Sequence, residues 1–303
     1  MSEACLAWKD LGTAKISDAL DRLGIPGQCL GIKPLEGGVT NHELTLFYKG
    51  KRFQTGYFER PGGNGTLLYL HGLGCSRRDF LPAANVSSLR DYRLVAFDFP
   101  GCGKANYDEQ LTLEATDLVE IVSKVATKLD LTKFVLVGHS LGGLVGLMFA
   151  SKYQGRVERF VNIEGNLTAE DCFMTRAIAR RSFDDFRRSR HLEELKETFA
   201  RSEYPGSRIF AAESLLQVSE RAFYDYSKSV VAHSDRGDLL PCFLGLNIPR
   251  LFIYGSANGH LSYLPKLRSN GGCVVEVPGS GHWPMYDNPS FFYDALATFL
   301  GCR

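Results

Sequence analysis

No stretch of this 303-residue chain approaches the roughly 18 consecutive apolar residues that a membrane-spanning helix requires. Neither sign of charge dominates, and a net charge of +1 offers no footprint for nucleic acid or an anionic membrane as partner. The N-terminus, Met1-Ser2-Glu3-Ala4-Cys5-Leu6-Ala7-Trp8-Lys9-Asp10, lacks both the basic start and the apolar run of a signal peptide. Eight cysteines are scattered without a Cys-x-x-Cys pair, so they read as reduced thiols and the cytoplasm is the expected location. No histidine pair has helical zinc-ligand spacing, and no metal is expected. Gly101-Cys102-Gly103-Lys104 is not a phosphate loop, because Ala105 replaces the required Ser/Thr and Asp98 replaces the first glycine. No cofactor is therefore expected.

What the chain does contain is 44% apolar residues in a regular order of short runs, enough for a large α/β core. Strands are expected at Glu43–Tyr48, Arg52–Glu59, Thr66–Leu70, Arg93–Phe97, Lys133–Val137, Arg159–Ile163, Arg250–Tyr254 and Cys273–Val277. Leu111–Leu129 has helical spacing, and a last helix should run from Pro289 to Leu300 with Asn288 as its cap. Strands that alternate with helices imply a mostly parallel sheet covered on both faces. The alternation breaks over residues 166–246, a charged and helical stretch that reads as an inserted cap between core segments 41–165 and 247–303. Its arginines Arg176, Arg180, Arg181, Arg187, Arg188 and Arg190 are interleaved with acids, which favours a solvated face over an anion site.

The most telling run is Gly138-His139-Ser140-Leu141-Gly142, between the apolar Lys133–Val137 and the apolar Gly143–Ala150. Strand, tight glycine turn and helix together make a nucleophile elbow, with Ser140 exposed above the sheet on strained backbone angles.

With three further motifs, residues 41–303 resemble the α/β-hydrolase family. His71-Gly72-Leu73-Gly74 is similar to the family's oxyanion loop, Asp98-Phe99-Pro100-Gly101-Cys102-Gly103 to its Asp-x-Pro-Gly-x-Gly turn, and Gly279-Ser280-Gly281-His282-Trp283-Pro284 to its late histidine loop. The resemblance implies a Ser140 nucleophile and His282 as the base that takes its proton. It implies the amides of Leu73 and Leu141 as oxyanion donors, each worth about 3 kcal/mol in the transition state. His71 and His139 are expected to shape loops, and His260 to be a loop residue near the site. His42, His191 and His233 are expected to be structural.

The acid departs from the commonest pattern. Gly255-Ser256-Ala257-Asn258 carries asparagine where the family usually has aspartate. Part of the family places its acid one strand earlier, and Asn162-Ile163-Glu164-Gly165 makes Glu164 the candidate. Ser140 excludes dehalogenase and epoxide-hydrolase chemistry, which uses an aspartate at the elbow.

The expected activity is hydrolysis of an ester, thioester or amide of a small, largely apolar acyl compound, with a small-molecule substrate as partner. Carbon–carbon bond hydrolysis with the same residues, and a non-catalytic binder on the same fold, remain alternatives. Aromatic cap residues Phe173, Phe183 and Phe186 are expected to close over the acyl group. Residues 1–40, through Leu11–Ile25 and Gly31–Leu35, resemble the start of the RraA-like family without its later metal-site motifs. Docking on the core, association into a homo-oligomer and a gene-fusion relic stay open for that segment.

Overall fold

Strand-forming runs that are apolar on both faces cannot leave either face in water, and here they collect into a single eight-stranded sheet. The computed structural model describes residues 38–270 and 273–302, so the RraA-like stretch up to residue 37 lies outside the described residues. The strands are β1 (Thr40–Tyr48), β2 (Lys51–Arg60), β3 (Thr66–Leu70), β4 (Arg93–Phe97), β5 (Phe134–His139), β6 (Val157–Ile163), β7 (Arg250–Gly255) and β8 (Cys273–Val277). They stand in the order β1-β2-β4-β3-β5-β6-β7-β8. β1, β2 and β4 pair antiparallel, and every pair from β4 to β8 is parallel. This is the α/β-hydrolase fold, with helices on both sides of the sheet.

All eight strands fall where the sequence pattern puts them, with shifts of up to three residues at their ends. The helix expected over 111–129 is shorter, α1 (Ala115–Lys128), because Asp117 reaches back to accept the Glu114 N–H at 2.8 Å and closes a capping box there. Helix α2 (Leu141–Lys152) follows the elbow. Between β6 and β7 the chain runs through α3 (Thr175–Ala179), α4 (Phe183–Arg188), α5 (His191–Ala200), α6 (Pro205–Ile209), α7 (Glu220–Ser234) and α8 (Leu239–Gly245). After β7 come α9 (Leu264–Ser269), α10 (Pro284–Asp287) and α11 (Pro289–Leu300), the last with Asn288 Oδ1 accepting the Phe291 N–H. No helix among the described residues is long and apolar enough to cross a membrane.

Helix α7 ties the inserted helices to the loop after β4. Tyr226 Oη donates to the Pro100 carbonyl at 2.9 Å, and Tyr107 Oη donates to Asp225 at 2.7 Å. Of the insertion's arginines, Arg176, Arg187, Arg188 and Arg190 pair with Asp235, Glu220, Asp185 and Glu193. These pairs are solvent-exposed, as the interleaved charge pattern implies, and each contributes little to stability.

The turn after β4 is organised around a buried charge. Asp98 accepts the backbone N–H groups of Arg77 at 2.8 Å and Lys104 at 2.9 Å, and pairs with the Arg77 guanidinium. Both side chains are buried, so the pair is worth less than the cost of breaking it. Arg77→Met should lower the unfolding free energy by about 3–5 kcal/mol, read from the urea midpoint, because Asp98 would keep an unpaired buried charge. A loss under about 1 kcal/mol would mean that the backbone donors alone hold Asp98.

Candidate active site

The elbow is built by two glycines at which no larger residue fits. A Cβ on Gly138 would lie 2.2 Å from the Gly142 carbonyl oxygen, and one on Gly142 would lie 2.1 Å from that of Leu70. Helix α2 therefore starts almost in contact with the sheet. Ser140 bridges strand and helix at φ 51° and ψ −117°, a conformation that costs on the order of 1–3 kcal/mol. Its neighbours over-determine it. The Ser140 N–H donates to Ile163 O at 2.9 Å, and its carbonyl accepts the N–H groups of Gly143 at 2.8 Å and Leu144 at 3.1 Å. Leu141 is the first residue of α2, so its N–H has no acceptor within its own helix and sits at the positive end of the helix dipole.

The loop after β3 lies against this elbow. A Cβ on Gly72 would stand 2.9 Å from His139 Nδ1 and 3.2 Å from Ser140 Cβ, so a larger residue there would have to shift its neighbours. His71 fixes its other side. The Phe99 N–H donates to His71 Nε2 at 2.9 Å, which leaves the ring proton on Nδ1 to bond the Gly72 carbonyl at 2.8 Å. Burial holds the His71 pKa below the usual histidine value, consistent with a neutral ring that shapes the loop.

Glu164 follows β6 directly, in a left-handed conformation at φ 53°. Its N–H is held by Ile253 O at 2.9 Å, and its Oε1 accepts the Gly255 N–H at 2.7 Å. Oε2 accepts Asn258 Nδ2–H at 2.7 Å and faces His282 Nδ1 at 3.2 Å. The carboxylate side chain is 4% exposed and the imidazole 16%. Since a carboxylate only accepts, a neutral His282 carries its proton on Nδ1 and presents a bare Nε2. Asn258 is thus not a stand-in for a missing acid facing the histidine. It is a donor to the carboxylate that stands one strand earlier.

Ser140, His282, Leu73 and Leu141 line one cavity of about 20 Å³, together with Phe173, Met174, Thr175, Val230, Asn166 and Asp171. That is room for about one water. A second cavity of 150 Å³ lies on the side of Glu164 and Asn258, and Phe173, Asp171 and His282 line both. His260 also lines this second cavity, with Nδ1 at 3.2 Å from Ala257 O. His42 is exposed on β1, His191 contacts Glu194, and His233 is buried in α7, all outside both cavities.

The aromatic residues of the insertion divide differently from expectation. Phe173 is 62% exposed, with its ring edge-on to His282 at 5.5 Å. Phe183 packs on Tyr224 beneath the Arg221 guanidinium, and Phe186 is buried among Phe223, Tyr224 and His191. Phe183 and Phe186 therefore hold helices together rather than face the cavity. Asp171 was not among the expected site residues. It accepts the Leu167 and Thr168 N–H groups at 2.8 Å and Tyr263 Oη–H at 2.7 Å, while burial and, less strongly, the Glu164 charge push its carboxyl up.

Among the described residues, one group could offer three metal ligands: Cys75, Asp79 and His139, with ligand atoms within 4.8 Å of one another. Burial pushes the Cys75 thiol well up, away from the thiolate that a metal requires, which disfavours a metal there.

Comparison with known proteins places this geometry in context. Residues 67–295 match the alpha/beta hydrolase family. The sn-1-specific diacylglycerol lipase ABHD11 of Danio rerio is 24% identical over 99% of this chain and 98% of its own length. The 2-hydroxy-6-oxononadienedioate/2-hydroxy-6-oxononatrienedioate hydrolase of Escherichia coli is 23% identical over 89% of this chain and 99% of its own. Among solved structures, one from work on Nitrososphaera gargenis carboxylesterases superposes with a TM-score of 0.72 at 18% identity, covering 85% of this chain and 98% of that one. The match spans three-quarters of the sequence, from β3 into the final helix, and the chain belongs to the alpha/beta hydrolase family.

Proposed function

We propose that the protein is a serine hydrolase that cleaves an ester, thioester or amide of a small, largely apolar acyl compound through an acyl-enzyme. The observation that carries this reading is the placement of His282 between two partners. Its Nδ1 faces the buried Glu164 carboxylate, and its ring shares a cavity with Ser140 and the Leu73–Leu141 pair.

In the proposed reaction His282 Nε2 takes the Ser140 Oγ proton as Oγ bonds to the substrate carbonyl carbon. The carbonyl oxygen gains negative charge and is held by the Leu73 and Leu141 N–H groups. His282 then gives its proton to the leaving oxygen, sulfur or nitrogen as that bond breaks. Water, deprotonated by the same imidazole, bonds to the acyl carbon, and His282 returns that proton to Ser140 Oγ as the acyl–oxygen bond breaks and the acid leaves. Glu164 stabilises the imidazolium in both halves, and its two outside donors, from Gly255 and Asn258, keep it aimed at Nδ1.

Carbon–carbon hydrolysis stays as a second reading, supported by the full-length similarity to the Escherichia coli enzyme. A non-catalytic binder has lost its main ground, since Asn258 supports an acid instead of replacing one. We further propose that residues 166–246 act as a cap whose gate at the site is Phe173.

A fluorophosphonate should label Ser140, and Ser140→Ala should lose both labelling and turnover of p-nitrophenyl esters. Hydrolysis by pure Ser140→Ala protein would refute the mechanism, and turnover confined to diketone-like substrates would favour the second reading. Glu164→Gln should fold normally and lose turnover by a factor on the order of 10³–10⁴, because an amide cannot stabilise the imidazolium. Asn258→Ala should cost far less, and Glu164→Gln with Asn258→Asp should recover part of the loss by returning a carboxylate beside His282. The reverse ranking of the two single variants would disprove Glu164 as the acid.

Phe173→Ala should shift the preferred acyl length upward while leaving the melting temperature within a few degrees, because an exposed ring contributes little to stability. An unchanged chain-length profile in a panel of p-nitrophenyl esters would show that Phe173 does not gate the site. Phe186→Ala should do the opposite, losing about 3–5 kcal/mol of stability without a matching change in selectivity.

A further inference from the structure

The residue before the nucleophile has a bond that the proposed chemistry does not use. His139 ends β5 and is fully buried, and its Nε2 lies 2.8 Å from the backbone carbonyl oxygen of His282. A carbonyl offers only lone pairs, so Nε2 must carry the proton. In a neutral ring that leaves Nδ1 bare, and Nδ1 has no hydrogen-bond partner among the described residues. A Cβ added to Gly72 would sit 2.9 Å from it, so the oxyanion loop closes over this nitrogen. The ring also packs at 4.9 Å from the His282 ring and 5.9 Å from Trp283. A side chain is thus kept with one buried nitrogen unpaired, while its other nitrogen holds the residue that carries the proposed base.

We infer that His139 is a positioning residue for His282. It ties the late histidine loop to the nucleophile elbow through one side-chain donor, so that Ser140 and the imidazole keep their separation during turnover. The inference rests on the serine-hydrolase reading. Positions 139 and 282 are 143 residues apart, and between them the chain passes through β6, the inserted helices, β7 and β8. Glu164 aims the ring of His282 through Nδ1, but one hydrogen bond leaves rotation and translation about it free. The bond from His139 fixes the backbone from which that ring hangs. Burial, reinforced by repulsion from a charged His282, holds the pKa of His139 well below the usual histidine value. The positive charge that forms in turnover therefore stays on His282, where Glu164 faces it.

The test uses the full-length chain with p-nitrophenyl ester kinetics and fluorophosphonate labelling. His139→Phe keeps a planar ring but removes the donor, and His139→Gln places an N–H₂ group near the position of Nε2. His139→Phe should lose about ten- to a hundredfold in kcat, with KM within about twofold, and should label Ser140 more slowly by a similar factor. His139→Gln should recover most of that loss. Wild-type kcat in a folded His139→Phe protein would overturn the proposal. Equal losses in both variants, with matching falls in melting temperature, would assign His139 to packing alone. A measurement on the unmodified protein stands even if the phenylalanine variant does not fold. Nitrogen NMR of its imidazoles should show His139 neutral at pH 7, with the proton on Nε2, and a proton on Nδ1 would overturn the proposal directly. Absence of Ser140 labelling in the wild-type protein would instead reject the serine-hydrolase reading itself.

Discussion

The close approach of helix α2 to the sheet at Gly138 and Gly142 is the constraint on which the rest of the site depends. With Cβ positions only 2.1–2.2 Å from carbonyl oxygens, no other residue type fits at either place. That contact forces the turn between them into a conformation that β5 and α2 would not adopt separately. Ser140 is held there by backbone hydrogen bonds from both sides. The same contact brings the first amides of α2 within reach of the loop after β3. Strain at Ser140 and a Leu141 N–H with no acceptor within its own helix are thus two consequences of one packing event.

Buried charge is handled in two distinct ways around this elbow. Asp98 is neutralised by Arg77 and by two backbone donors, a purely internal balance that sets the turn after β4. Among the described residues, Glu164 has no lysine or arginine partner. It has two fixed neutral donors, from Gly255 and Asn258, and its Oε2 faces His282 Nδ1. A permanent cation would neutralise Glu164, whereas amide donors hold the carboxylate in place without removing its charge, and the proposed reaction draws on that charge. Asparagine at 258 suits this arrangement better than a second carboxylate, which would stand 2.7 Å from the first and repel it.

The parts legible in the sequence are those fixed by local rules. Apolar runs bounded by turn residues gave all eight strands, and the glycine spacing around Ser140 marked the elbow because the close approach admits nothing larger. Glu164 was readable as a candidate only through a family resemblance, since its approach to His282 spans 118 residues of chain. Asn258 could be seen as a departure, but not as a donor, because its partner lies on another strand. Phe173, Phe183 and Phe186 look alike as apolar positions in a charged helical stretch. What separates them is orientation: Phe173 lies in the turn before α3, while the other two are part of α4 and pack on α7. Asp171 had a local signal, the Thr168-x-x-Asp171 capping box, yet its place at the cavity depended on where that turn sits.

The short connection from Glu164 to Thr175 lines both cavities. It begins at Glu164, reaches Asp171 seven residues on, and then sets Phe173 edge-on to His282. The cavity at Ser140 has room for about one water, less than the acyl group of the proposed substrate needs. Leu73 and Leu141 belong to the loop after β3 and to α2, and Val230 belongs to the buried face of α7. Phe173 is the exposed member, lying in a turn between a 3₁₀ segment and α3. It lines both cavities, together with Asp171 and His282. The near end of the connection is anchored at Glu164, whose N–H is held by Ile253 O and whose Oε2 faces His282 Nδ1.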